Sequence, residues 1–223
     1  MNTTPLPSTS RRAALLWATL LGTGCSGGLL PKPAAAPMRY TLDALDPSAP
    51  TGPSAAALDG PLPATPDGAP SIVVALPTAA AGYDSTRMVY LRQPQALQAY
   101  AYAEWVDTPA RLLAPLLVRA LQRTGAFRAV LQAPSSATGT LRLETELVRL
   151  QHDFTQSPSL VRMTVRAVLL DIATRQALAT REFDARVPAP SDDPAGCVAA
   201  TSMATRQLLA ELANYMAAAQ RKP

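Results

Sequence analysis

Histidine occurs once in these 223 residues, cysteine twice, and aromatic side chains make up only 5%. A single histidine, His152, excludes a histidine-rich metal site within one chain, because zinc sites gather several His and Cys ligands. Two cysteines, Cys25 and Cys197, are too few for a disulfide-framed fold. The chain also has no glycine-rich phosphate loop, no paired metal-ligand motif and no G-x-S-x-G elbow. Nucleotide, metal and α/β-hydrolase chemistry therefore have no motif to rest on, and no cofactor is expected. Charge is mild, +4 formally from 20 basic and 16 acidic residues. That does not make the dense basic patch nucleic acid needs, so nucleic acid is not an expected partner.

What the sequence does have begins at its amino end. Arg11 and Arg12 precede a mostly apolar run, Ala13 to Gly22, half the about 20 residues a spanning helix needs. A basic pair, a short apolar stretch and a small-residue end read as an export signal. The stretch resembles a bacterial lipoprotein signal, since Gly22, Thr23 and Gly24 lead straight into Cys25. That resemblance implies a leader of residues 1–24, cleavage before Cys25 and a lipid on its thiol, the best protein nucleophile for alkylation. Gly22 stands where such signals usually carry Leu, three places before the cysteine. Losing the leader removes Arg11 and Arg12 and no acid, taking the charge from +4 to +2.

Eleven of the 22 prolines lie between Pro31 and Pro77. Mixed with Ala, Gly and Ser, they cannot bury enough apolar surface to offset the entropy of ordering, and should behave as an extended tether. The expected organisation is a tether at 25–37, a first strand at 38–45 carrying "MRYTL", a Pro/Ala-rich linker at 46–70, and a folded domain at 71–219.

Within that domain "SIVVALP" reads as a short strand, and Met88 to Leu91 and Ala96 to Val106 as strands around a Gln93-Pro94 turn. In the second, strict alternation puts Leu97, Ala99, Ala101, Ala103 and Trp105 on one face. Gln98, Tyr100, Tyr102 and Glu104 take the other. Thr108 as a cap and Pro109 at the first helical position open a helix with a Leu113, Leu117, Ala120 stripe, which Gly125 ends. "LRLETELV" and "VRMTVRAVL" alternate with period two, and "ALATREFDARV" returns as a hairpin with the latter. Asp193 before Pro194 opens a last helix faced by Leu208, Leu209, Leu212, Tyr215 and Met216. The expected fold class is α+β, a mixed, mostly antiparallel sheet with two helices packed on one face.

Candidate chemistry is sparse. Cys197 reads as buried helix filler rather than as a nucleophile. His152 and Asp153 are strand neighbours and point to opposite faces, so they do not orient one another. Glu144 and Glu146, with Arg142 between them, read as a charge-balanced outer face. Tyr100 and Tyr102 are the candidates for contact with a partner, since exposed aromatics anchor interfaces. Neither a catalytic nor a metal-binding residue is assigned.

The order of these features, from Cys25 through "RYTL" and "MVYLRQPQALQAYAYAEWVDTPARLLAPLLVRALQRTGAFRAV" to "LETELVRLQHDF" and the alanine-rich last helix, resembles the ABC-type transport auxiliary lipoproteins. That family includes the paraquat-inducible protein C lipoproteins. W-x-x-x-P at Trp105 to Pro109 and L-x-R-L-x-x-D-F at Leu147 to Phe154 carry the resemblance most recognisably. It implies a non-enzymatic lipoprotein beside an ABC permease/ATPase complex and an MCE-domain (mammalian cell entry) protein, moving phospholipid or another hydrophobic substrate. Only Cys25 carries over as a functional residue. Ser26 in place of an inner-membrane-retaining aspartate implies the outer membrane. Amphipathic strand edges leave self-association open. The rival class is a periplasmic hydrolase built on a serine or Cys197, which would need His152 or a carboxylate as base. Another outer-membrane assembly lipoprotein is the third reading.

Overall fold

The computed structural model describes residues 36–42 and 62–221. The leader, Cys25 with most of the tether, residues 43–45 of the expected first strand and residues 46–61 of the linker lie outside that range. The described residues form nine strands and two helices. In chain order they are β1 (Met38–Tyr40), β2 (Ser71–Val74), β3 (Thr78–Ala79), β4 (Arg87–Gln93), β5 (Ala96–Trp105), α1 (Pro109–Gln122), β6 (Ala129–Gln132), β7 (Leu141–Asp153), β8 (Leu160–Asp171), β9 (Ala177–Pro188) and α2 (Pro194–Ala219). No helix among them is long and apolar enough to cross a membrane.

The sheet is organised around β7. One of its edges runs antiparallel to β8, which runs antiparallel to β9. Its other edge is shared in turn by β2, β3 and β4, each parallel to it. β6 extends the sheet beyond β2, while β5 and then β1 extend it beyond β4. The long pairings are antiparallel and the short ones mostly parallel, so the fold is α+β on a mixed sheet. Both helices pack on each other and on the same side of this sheet.

Alternation dictates which face is buried. Leu141, Leu143 and Leu147 of β7 and Val161, Met163, Val165, Ala167 and Leu169 of β8 point into one core with Leu117, Leu121, Leu208, Leu209, Leu212 and Met216, and Thr145 is buried on the same face. Each of the leucine, valine and methionine side chains among them contributes about 2 kcal/mol of burial. The first half of α2 presents small residues, Cys197, Ala200, Thr201, Ala204 and Thr205, all buried. Thr201 and Thr205 satisfy their hydroxyls on the carbonyls of Cys197 and Thr201, at 2.7 and 2.8 Å.

Two irregularities change what strict alternation predicts. Leu147 faces Val165 and Arg149 faces Thr164, so Val148 is an extra residue in β7. Such a bulge reverses the phase of all that follows. Beyond it Leu150 and His152 turn inward. In the β4–β5 pair, Arg87 faces Glu104 but Val89 faces Ala99, so two steps along β4 span five along β5. The single face expected for Leu97, Ala99, Ala101, Ala103 and Trp105 is therefore broken. Ala103 and Trp105 are buried, whereas Leu97 and Ala101 are exposed.

Helix ends are sealed unequally. Asp193 caps α2 by accepting from the Gly196 N–H at 2.7 Å. Thr108 sits at the cap position of α1, but its hydroxyl makes no capping bond. The expected role falls instead partly to Asp107, which accepts from the Thr108 N–H at 2.7 Å and pairs with Arg111 at 3.2 Å. At Gly196 a Cβ would lie 2.1 Å from the Ser191 carbonyl oxygen, so the entry to α2 admits only glycine.

Candidate functional site

Where β4, β5 and β7 meet the amino end of α2, the structure assembles a buried polar cluster. His152 is fully buried. Its Nδ1 lies 2.9 Å from the Tyr100 hydroxyl and its Nε2 lies 2.9 Å from Ser159 Oγ. Ser159, in the β7–β8 loop, donates its only hydroxyl proton to Asp192. Ser159 must therefore accept from Nε2–H, which leaves Nδ1 to accept from Tyr100. Protons point along one chain, from Tyr100 through His152 and Ser159 to Asp192.

Burial holds His152 below the usual imidazole range, against the opposing pull of Asp192, Asp193 and Asp153. Burial raises the Tyr100 phenol, helped by nearby Cys197. Both groups are thus neutral, as the chain of donors requires. The arrangement is the wrong way round for nucleophilic catalysis. A serine nucleophile must give its proton to the imidazole, and here it receives one. Cys197 is no substitute, because burial pushes its thiol to about 12.

Aromatic rings continue the cluster outward. Tyr90 packs tilted against Tyr100 at 4.8 Å and meets Phe154 edge-on at 5.8 Å, while Phe154 lies 4.2 Å from His152. The exposed guanidinium of Arg92 covers Tyr90 and Phe154 at 5.6 and 5.2 Å.

The opposite face of the sheet is laced with ion pairs. Glu146, Arg166 and Glu182 stand side by side across β7, β8 and β9, with Arg166 bonded to both acids at 2.9 and 3.3 Å. Arg142 pairs with Glu144 at 2.8 Å, as a balanced outer face demands. Asp184 gathers Thr164, Arg162 and Arg186, which hold its carboxyl below the usual range although burial works against them.

The two tyrosines read as partners in one exposed face are separated. Tyr100 is half-buried and committed to His152, while Tyr102 is 65% exposed. The slip in β5 between Ala99 and Glu104 is the reason. Cys25 lies outside the described residues. Among those residues no group of three or more His, Cys, Asp or Glu is placed to hold a metal ion. Ser159 and Asp192 carried no signal by themselves, and Phe154 stood out only as the end of the L-x-R-L-x-x-D-F stretch. Only the bulge at Val148, which turns His152 inward, brings them together.

Residues 40–213 match the family model described as the ABC-type transport auxiliary lipoprotein component. The chain belongs to that family. Among solved structures, protein XCC0632 from Xanthomonas campestris is similar, with a TM-score of 0.64 and 26% identity over 72% of this chain and 94% of that one. An uncharacterized protein shares the fold, with a TM-score of 0.59 and 14% identity over 82% of this chain and 99% of its own. No curated protein matches the chain. The W-x-x-x-P and L-x-R-L-x-x-D-F stretches both fall inside the matched span. The second of them contains the bulge and His152, so the network sits within the family's own region.

Proposed function

We propose that this auxiliary lipoprotein is a non-enzymatic docking module. It is held by lipid on Cys25 to the periplasmic side of the outer membrane, and serves an ABC permease/ATPase complex and an MCE-domain protein that move phospholipid or another hydrophobic substrate. The observation that carries the reading is the family match over 40–213, which makes the chain a transport component rather than a transporter. The buried network supports it, because Ser159 and Cys197 are both unfit as nucleophiles. The lipid supplies about 0.8 kcal/mol per buried methylene, and the proline-rich linker gives the body reach. Sheet edge and tyrosine hairpin then offer contact surface, with Tyr102 more accessible than Tyr100.

The test is purification of the full chain from native membranes under mild detergent. Recovery of the permease, the ATPase and an MCE-domain protein in fixed ratio is expected. Recovery of the lipoprotein without any transporter subunit would overturn the reading.

A further inference from the structure

On the sheet face opposite the helices, at the tip of the β4–β5 hairpin, lies an open groove of about 400 Å³. One wall is apolar, made by Leu91, Leu97 and Pro94. Leu91 and Leu97 are cross-strand neighbours, and Leu97 is 40% exposed. The other wall is polar and centres on Arg149, Gln151 and Arg162. Tyr83 donates to Gln151 Oε1 at 2.7 Å, and burial raises its phenol against the opposing pull of the neighbouring Arg149 cation. Arg162 has its carboxylate, Asp184, at 3.3 Å.

Arg149 is half-buried and pairs with no carboxylate among the described residues. On a face where Arg142, Arg162, Arg166 and Arg186 are all paired, that is the exception. Asp153 shares the groove, but its Oδ1 already accepts from the Thr155 N–H and hydroxyl at 2.9 and 2.6 Å. A guanidinium without a carboxylate, beside half-buried Leu91 and exposed Leu97, fits a carboxylate followed by an apolar group.

We propose that this groove seats an extended acidic segment of a partner protein, a Glu or Asp side chain on Arg149 and an apolar neighbour across Leu91 and Leu97. The inference rests on the docking reading above and names the surface that would be used. An acyl chain fits less well. Small-molecule sites bury most of their ligand, and this groove is open to solvent along its length, whereas a strand-like segment needs only a shallow seat.

The experiment is a chemical-shift titration of the ¹⁵N-labelled full chain in detergent with acetyl-Leu-Glu-Leu-amide, acetyl-Leu-Gln-Leu-amide and dodecyl phosphate. The glutamate peptide should move the amides of Leu91, Leu97 and Gln151. Affinity should fall about tenfold for the glutamine peptide and in Arg149→Gln, the loss of one charge-assisted bond. Leu97→Ser, at an exposed position, should weaken binding while leaving the rest of the spectrum unchanged. No shifts, equal shifts with both peptides, unchanged affinity in Arg149→Gln, or shifts with dodecyl phosphate alone would each overturn the proposal. Transporter subunits that still co-purify with Arg149→Gln would discard the groove and leave the docking function standing.

Discussion

At the scale of single residues, the interior polar chain makes the sharpest claims. His152 is neutral in the fold because burial lowers its affinity for a proton. The unfolded chain has an ordinary imidazole, protonating near about 6.5. As pH falls through that value the unfolded state binds the proton first, so stability is full above it and declines as pH drops toward the folded-state value. Urea unfolding between about pH 7.5 and 5 should show this decline, and His152→Gln should flatten it while costing about 1 to 3 kcal/mol at neutral pH through disturbed buried bonds. Cys197 leads to a second test. With its thiol at about 12 and 4% exposed, it should stay unreactive toward a disulfide reagent at pH 8 in the native protein and react fully in denaturant. Rapid native labelling would mean that the amino end of α2 opens. The burial of Cys197 was legible from its place among small helical residues. The burial of His152 was not, since a lone histidine at a strand end looks like solvent-facing polarity.

Elements differ in how they are held, and the differences are measurable. Asp193 makes a real cap on α2, and the Gly196 N–H and Ser191 hydroxyl keep its carboxyl below the usual range. Thr108 makes no side-chain bond at the start of α1. Asp193→Ala should therefore lower the urea midpoint, while Thr108→Ala leaves it nearly unchanged, although both residues occupy the cap position. Leu212→Ala, at a fully buried site in α2, should cost about 3 kcal/mol. In β7 the extra residue Val148 sets the phase of the strand end. Deleting it would push His152 outward and Arg149 and Gln151 toward the core, so the variant should fail to give a cooperative unfolding transition. The helices, the long strands and the β8–β9 hairpin were readable from periodicity, because each carries its pattern over ten or more residues. β3 and β6, two and four residues long, lack the longer apolar run that marked the equally short β2 in "SIVVALP", and so left too little pattern to read. Their place depends on β7 and β2 beside them.

For the whole molecule, the proposed function rests on attachment and contact. Under the proposed reading Cys25→Ala should shift the protein from the membrane fraction to the soluble periplasmic fraction, with its thermal midpoint unchanged, because the described core holds no residue near that position. Fractionation followed by a melting curve checks both halves of the statement. Persistent membrane association of the variant would mean that the folded body binds the membrane or a membrane protein by itself. The molecule then presents two unlike faces at the β4–β5 hairpin. One carries Arg92, Tyr90 and Phe154 over the buried histidine; the other carries the groove with Arg149.

Sequence alone carried the family resemblance of this protein and its α+β content. A family's short motifs are written in consecutive residues, and apolar periodicity is a local property of the chain. It also determined that Glu144 and Glu146 would be balanced by arginine on an outer face. Tertiary structure decided the phase of β5 and β7, the parallel placement of β2, β3 and β4 along one edge, and the meeting of Tyr100, His152, Ser159 and Asp192. Those depend on register, and register is settled by pairing between strands distant in the chain. One inserted residue reverses which side chains face the core, and nothing local to that residue announces it.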